Sequence, residues 1–383
     1  MDNRAVMVGG REGILGEWGM EIPNPRYEGE ITLRRALESS KVAATVRVAN
    51  QVGLDKVLNT SVAFGLPIQE AEQLPRIAVG WESASLKEAV RAYAAFGTSG
   101  QPGPTKQWYV SRVEDAAGNI RFDRPTLGNE SSAAISKATA FQVHSILQGG
   151  MARGSAAGLT KELTEVPFNG AGKPGTTHDF SDNWFLGYNG RVSCGVWIGY
   201  LQDGKTIYEG AFARDLAMPV WTSTMNAANS DFGGKGIPRP DTIVEATVCR
   251  VSGERATPYC YEMVEDPATG RLRSSPTSIK EYFRAGTENL AYCTVHSGSA
   301  PVNPAKGAID LSALAVIDTS PVQPKEPTLL GSDPYHSLHV NAENMPENRV
   351  RKGRTNVLDS FDLNDALEGV ELPRPKRLEI SPE

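Results

Sequence analysis

The chain has 383 residues, 40% of them hydrophobic, which leaves room for one large domain or for one domain with appendages. A formal net charge of −6 and a pI near 5.6 exclude the electrostatic footprint of a nucleic-acid-binding protein. No apolar run is long enough to span a bilayer, and no basic segment leads into an apolar one near Met1, so neither an anchor nor an export signal is expected from this sequence.

Residues 1–28 are rich in glycine and charge without a period, which predicts irregular structure. Thr32 caps a helix expected over 33–53, with Leu37, Ala44, Val48 and Val52 at helical spacing. A second helix starts at Leu54 and stops at Gly65 and Pro67. Residues 85–96 read as a third, with Leu86, Ala89, Val90 and Tyr93 on one face. After the Gly/Pro-rich stretch 97–104 the period changes to two: 108–113 is an expected strand, 117–119 a turn and 120–122 the returning strand. Residues 138–151 are helical again, three strands follow around Lys173, Trp184 and Trp197, and an amphipathic helix covers 216–228. Trp184, Trp197 and Trp221 are assigned to core packing. Residues 241–251 suggest one more strand, and 297–383 predict a mostly disordered tail with at most a short helix near 358–367. This order of elements suits an α+β fold, an antiparallel sheet faced by helices and completed by a helical lobe.

Cys194 lies in a strand pattern and reads as a small buried filler. Cys249, Cys260 and Cys293 share one stretch, and His296 follows Cys293. A zinc site can be drawn from those four, but no Cys-x-x-Cys pair supports it; a disulfide or unpaired thiols are preferred. Neither a metal nor a cofactor is therefore expected.

Near the middle of the chain stands Gly172-Lys173-Pro174-Gly175-Thr176-Thr177, followed by Asn183-Trp184-Phe185-Leu186-Gly187-Tyr188 and Gly195-Val196-Trp197-Ile198-Gly199-Tyr200. A Lys-x-Gly-Thr-Thr turn feeding aromatic strands resembles the third motif of the penicillin-recognising acyl transferases, in which a serine attacks an amide carbonyl. Further matches occur in order. They are Tyr27-Glu28-Gly29-Glu30-Ile31-Thr32-Leu33-Arg34-Arg35, Ser145-Ile146-Leu147-Gln148-Gly149-Gly150 with Arg153-Gly154-Ser155, and Cys249-Arg250-Val251-Ser252-Gly253 through Cys293. From about residue 26 to 296 the chain resembles the transpeptidase domain of class A penicillin-binding proteins, the bifunctional peptidoglycan synthases.

The resemblance implies a penicillin-binding-protein/β-lactamase-like fold, a five-stranded antiparallel sheet flanked by helices, here incomplete at the N-terminus. It implies the transpeptidase-like domain at 29–230 and an extension with three cysteines at 231–296, between the irregular segment at 1–28 and the tail at 297–383. Acyl transfer needs a serine nucleophile, a base, a proton relay and an oxyanion hole. The nucleophile motif Ser-x-x-Lys occurs nowhere in the sequence, and the resemblance implies a chain that starts after it. The second motif, Ser-x-Asn, aligns with Ser40-Lys41-Val42. Ser40 is then the relay, while Val42 lacks the amide of the expected Asn; on the residues alone, Ser39 and Ser40 are polar residues that break a helix. Lys173 offers a cation for a substrate carboxylate or for Ser40, Gly175 lets a substrate backbone approach, Thr176 offers a hydroxyl, and the N–H of Thr177 is the expected oxyanion donor. Pro174 stands where Thr or Ser is expected, and His178 is a weaker titratable candidate.

The resulting expectation is a transpeptidase-like protein of peptidoglycan biosynthesis, a D,D-transpeptidase by descent that is catalytically incomplete as it stands. The alternative is a non-catalytic module that binds peptidoglycan stem peptides or a partner synthase. Stem peptides, β-lactams and other cell-wall synthases are the implied partners, and the periplasmic side of the cell envelope is the implied location.

Overall fold

The computed structural model describes residues 6–7, 14–15 and 27–296, apart from 70, 81, 106–108, 124–131, 159–162, 164–167, 178, 203 and 267–268. The expected tail at 297–383, Trp108 and His178 lie outside the described residues.

Strands β1 (Val6–Met7) and β2 (Ile14–Leu15) pair antiparallel within the stretch expected to be irregular. The helix expected over 33–53 is two helices, α1 (Leu33–Glu38) and α2 (Val42–Val52), separated at Ser39–Ser40. Helix α3 (Leu54–Ala63) follows, then α4 (Leu86–Gly97). Ser85 and Glu88 close a capping box at the start of α4: Glu88 N–H donates to Ser85 Oγ at 3.2 Å, and Ser85 N–H to Glu88 Oε2 at 2.8 Å.

The hairpin of β3 (Arg112–Glu114) and β4 (Ile120–Asp123) forms a sheet of its own rather than joining the central one. Its residues are mostly exposed, so no apolar face draws it onto the core. Helix α5 (Lys137–Arg153) leads to the central sheet, whose order is β5 (Ala171–Thr176), β6 (Asp182–Tyr188), β7 (Ser193–Gly199), all antiparallel. Among the described residues that sheet has three strands, not the five that the resemblance implies.

Helix α6 (Ala217–Phe232) packs on one face of the sheet, with the Trp221 ring 4.7 Å from that of Phe185 and its Nε1–H donating to the Cys194 carbonyl at 3.1 Å. A Cβ on Gly187 would lie 2.3 Å from the Trp221 ring, so the close approach of helix and strand requires glycine there. The opposite face carries Leu186, which meets Val90 and Leu86 of α4 around Gly195. Trp221 is fully buried, but Trp184 and Trp197 are half-buried cross-strand partners on the other face, outside the buried cluster to which they were assigned. Alternation in β6 explains this: Phe185 takes the α6 face, so Trp184 must take the other.

Beyond α6, β8 (Ile243–Cys249) pairs with β11 (Ser278–Arg284), and β9 (Tyr261–Glu265) with β10 (Leu272–Pro276). Only the first of these four strands was expected. No helix among the described residues is long and apolar enough to cross a membrane.

Candidate functional site

Ser40 owes its position to the way α1 ends. Lys41 N–H reaches back to the Ala36 carbonyl at 2.8 Å and Ser40 N–H to the Leu37 carbonyl at 3.3 Å, a paired closure that puts Ser40 in the left-handed region at φ 54°. Glycine usually fills this position; a Cβ there costs roughly 1–2 kcal/mol. A strained, exposed serine at a helix end is the sort of outlier from which a functional reading can start.

The turn is held from beneath. Arg34 and Glu38, one helical turn apart, are each only 4% exposed. The Glu38 carboxylate accepts from Arg34 Nη1 at 3.3 Å and from Arg153 Nε at 3.0 Å, and its backbone carbonyl accepts from Ser155 N–H at 2.8 Å. Arg34 also donates to the Ser145 carbonyl and hydroxyl, both at 2.9 Å, and through Nε to Glu281 Oε2 of β11 at 2.6 Å. A Cβ on Gly154 would meet the Glu38 carbonyl at 2.0 Å, so α5 and its exit loop press directly against the turn. The sequence signal for this clamp is the Arg34/Glu38 spacing on one helical face, which no catalytic motif marks.

Lys173 reaches the turn from β5. Its ammonium donates to Ser40 Oγ and, at 3.0 Å, to the Pro174 carbonyl. Burial lowers its pKa from 10.5 to about 8, because little around the ammonium replaces the water it lost. Lys41 turns away, pairing with Glu28 at 3.1 Å. Val42 opens α2 with an aliphatic side chain that can donate nothing to a ligand.

The register of β5 against β6 decides what its outer edge offers. Thr177 N–H donates to the Asp182 carbonyl at 3.0 Å, and its Oγ1 accepts from the N–H groups of Ser181 at 3.0 Å and Asp182 at 2.9 Å. Thr177 therefore closes the hairpin and is not available as the oxyanion donor expected of it. Residues paired across an antiparallel ladder alternate, so Gly175 and Lys173 share Thr177's inward direction, while the N–H groups of Thr176 and Gly172 point to the free edge. Pro174 falls at an edge-facing position, so its missing N–H removes no ladder bond. Thr176 Oγ1 accepts from Ala213 N–H at 2.9 Å, which leaves its proton for a ligand, and Gly175 is exposed. The structure thus brings together Ser40 and Lys173, with Gly175 and Thr176 following along the same edge.

A second constellation lies in the C-terminal part. One ligand atom from each of Cys249, Cys260, Cys293 and His296 falls within 4.8 Å of all the others, and all three cysteines are free thiols. The expectation of no metal rested on the missing Cys-x-x-Cys pair and outweighed the close pair Cys293-x-x-His296, which the sequence also shows.

Residues 8–213 match the family described as the penicillin binding protein transpeptidase domain, and residues 239–298 match the penicillin-binding protein 1A C-terminal domain. The first match extends upstream of Tyr27 through residues 8–26, which contain no serine. Penicillin-binding protein 1A of Neisseria lactamica is 29% identical over 59% of this chain and 28% of its own length. That of Neisseria gonorrhoeae is 28% identical over 71% of this chain and 33% of its own. The chain thus spans about a third of the length of these curated relatives. A crystal structure of penicillin-binding protein 1A from Haemophilus influenzae superposes with a TM-score of 0.59 at 21% identity, covering 76% of this chain and 45% of that one, a likeness of fold.

Proposed function

Because this chain belongs to the penicillin binding protein transpeptidase family, we propose that it carries the carboxylate-binding side of a D,D-transpeptidase cleft and is catalytically incomplete by itself. One observation carries this reading: Lys173 is held against Ser40 across the cleft, yet no Ser-x-x-Lys serine exists in the chain for that pair to serve. Among the described residues the amine in contact with Ser40 is Lys173, which carries its proton below pH about 8. Lys173 donates to it, and Lys41 is occupied by Glu28. A peptide ending in a free carboxylate meets Lys173 as counter-ion, the Thr176 hydroxyl and N–H as donors, and Gly175 as the place where its backbone passes close.

In this reading the working location is the periplasmic side of the cell envelope, the ligands are peptidoglycan stem peptides and weakly held β-lactams, and other cell-wall synthases are the macromolecular partners. Residues 29–230 are the transpeptidase-like unit, and 231–296 its extension. A purely binding role for stem peptides is favoured over residual turnover by the aliphatic Val42 where an amide donor is needed.

Intact-protein mass spectrometry after incubation with a fluorescent penicillin tests the claim. No adduct is expected; a stoichiometric mass increase that disappears in Ser40→Ala overturns catalytic incompleteness. Binding of a peptide ending in D-alanyl-D-alanine, followed by nuclear magnetic resonance, should weaken in Lys173→Met and as pH rises through about 8, where the ammonium is lost.

A further inference from the structure

We propose that Cys249, Cys260, Cys293 and His296 bind one structural zinc ion that holds the C-terminal extension together. Three thiols and one imidazole are a complete tetrahedral ligand set for zinc, whereas iron–sulfur clusters generally draw on a fourth cysteine. With zinc–sulfur bonds of ~2.3 Å and zinc–nitrogen bonds of ~2.0 Å, a sulfur and a nitrogen on one tetrahedral ion lie roughly 3.5 Å apart. His296 Nδ1 lies 3.4 Å from Cys249 Sγ and 3.5 Å from Cys293 Sγ. These two separations are those a central ion sets, and all four ligand atoms lie within 4.8 Å of one another.

The surroundings suit thiolates. Ser252 Oγ donates to Cys293 Sγ at 3.3 Å, Thr257 N–H donates to Cys260 Sγ at 3.3 Å, and the Thr277 hydroxyl lies 3.6 Å from Cys249 Sγ. Such outer contacts orient metal-bound sulfurs and stabilise their charge. A disulfide fits less well, because any pairing of three cysteines leaves one thiol beside the histidine with no partner.

The fold gives the ion a task. Cys249 ends β8, Cys260 immediately precedes β9, and Cys293 lies beyond β11 beside Arg255, to whose carbonyl its N–H donates at 2.8 Å. One ion therefore ties three separate segments of the extension. The buried cluster there consists of the three cysteines with Ala256 packed against them. A module of this size seldom builds a sufficient apolar core, and a metal is one of the usual substitutes.

The full chain, purified without chelator under mild reductant, should contain stoichiometric zinc by inductively coupled plasma mass spectrometry. Cobalt substitution should give the intense visible bands of a tetrahedral thiolate site. Titration with a mercurial should release zinc as these three thiols react. Cys260→Ser and His296→Ala should lower zinc content at least tenfold. His296→Cys, which restores a four-ligand set, should keep it and so separates ligand loss from misfolding. Metal-free protein, a mass two hydrogens short that marks a disulfide, or zinc content unchanged in Cys260→Ser and His296→Ala overturns the proposal.

Discussion

Between α6 and the central sheet, Trp221, Phe185 and Met225 leave almost no surface to water, and Leu147 and Met151 of α5 belong to the same buried cluster. In the C-terminal extension β9 and β10 have only exposed and half-buried positions, and three cysteines with Ala256 make up its own cluster. One region is held by apolar area and shape, the other by a few side chains brought to a point. The ionic clamp in which Arg34 lies between Glu38 and Glu281 is one tie between them, beside the apolar contact of Phe141 and Ala138 with Ile243 and Tyr282 and the Gln142 amide that donates to the Tyr282 carbonyl at 2.9 Å. The candidate site therefore rests on both regions: the sheet supplies Lys173, while the turn bearing Ser40 is fastened through Arg34 to a strand of the extension.

The largest expected effect tests the apolar side. Trp221→Ala removes the centre of the sheet–helix contact and should destabilise by ~3–5 kcal/mol in urea unfolding. A loss under ~1 kcal/mol would mean that the sheet domain is not held as described. Next comes the link between the regions. Glu281→Ala leaves a buried guanidinium short of one charged partner and should destabilise by about 1.5–3 kcal/mol. The thermal transition should move down without splitting, because Phe141, Ile243 and Tyr282 still join the regions, and unchanged stability would show that the clamp couples nothing.

At the cleft, Ser40→Gly should stabilise the chain by about 1 kcal/mol, since glycine adopts the left-handed conformation without a Cβ penalty, although it loses the hydroxyl held by Lys173. Destabilisation in that variant would show that the contact outweighs the strain. The smallest effect is a slope. The folded-state pKa of Lys173, about 8, lies below its ordinary 10.5, so the fold carries a penalty for the charged ammonium that is full below pH 8 and gone above 10.5. Over that window the unfolded chain binds more protons and stability rises with pH. Lys173→Met should flatten the rise, by a modest amount because the side chain is only half-buried.

Much of this was legible in local pattern. The three strands around Lys173, Trp184 and Trp197, the helices that became α4, α5 and α6, and the α+β order follow from periodicity and caps, which are properties of neighbouring residues. The motif around Lys173 and the serine pair at 39–40 were also visible. The tertiary structure decided the rest. The break at Ser40 depends on the clamp on Glu38, whose partners come from α5 and the loop after it. The choice between Thr176 and Thr177 as the edge donor depends on the register of β5 against β6, where a shift of one residue reverses every N–H. The meeting of Ser40 with Lys173, and of Cys249 and Cys260 with Cys293 and His296, joins residues far apart in the chain. Composition and period describe how a residue relates to its neighbours, and such long-range pairings are set only when the helices and sheets bury their apolar faces against one another.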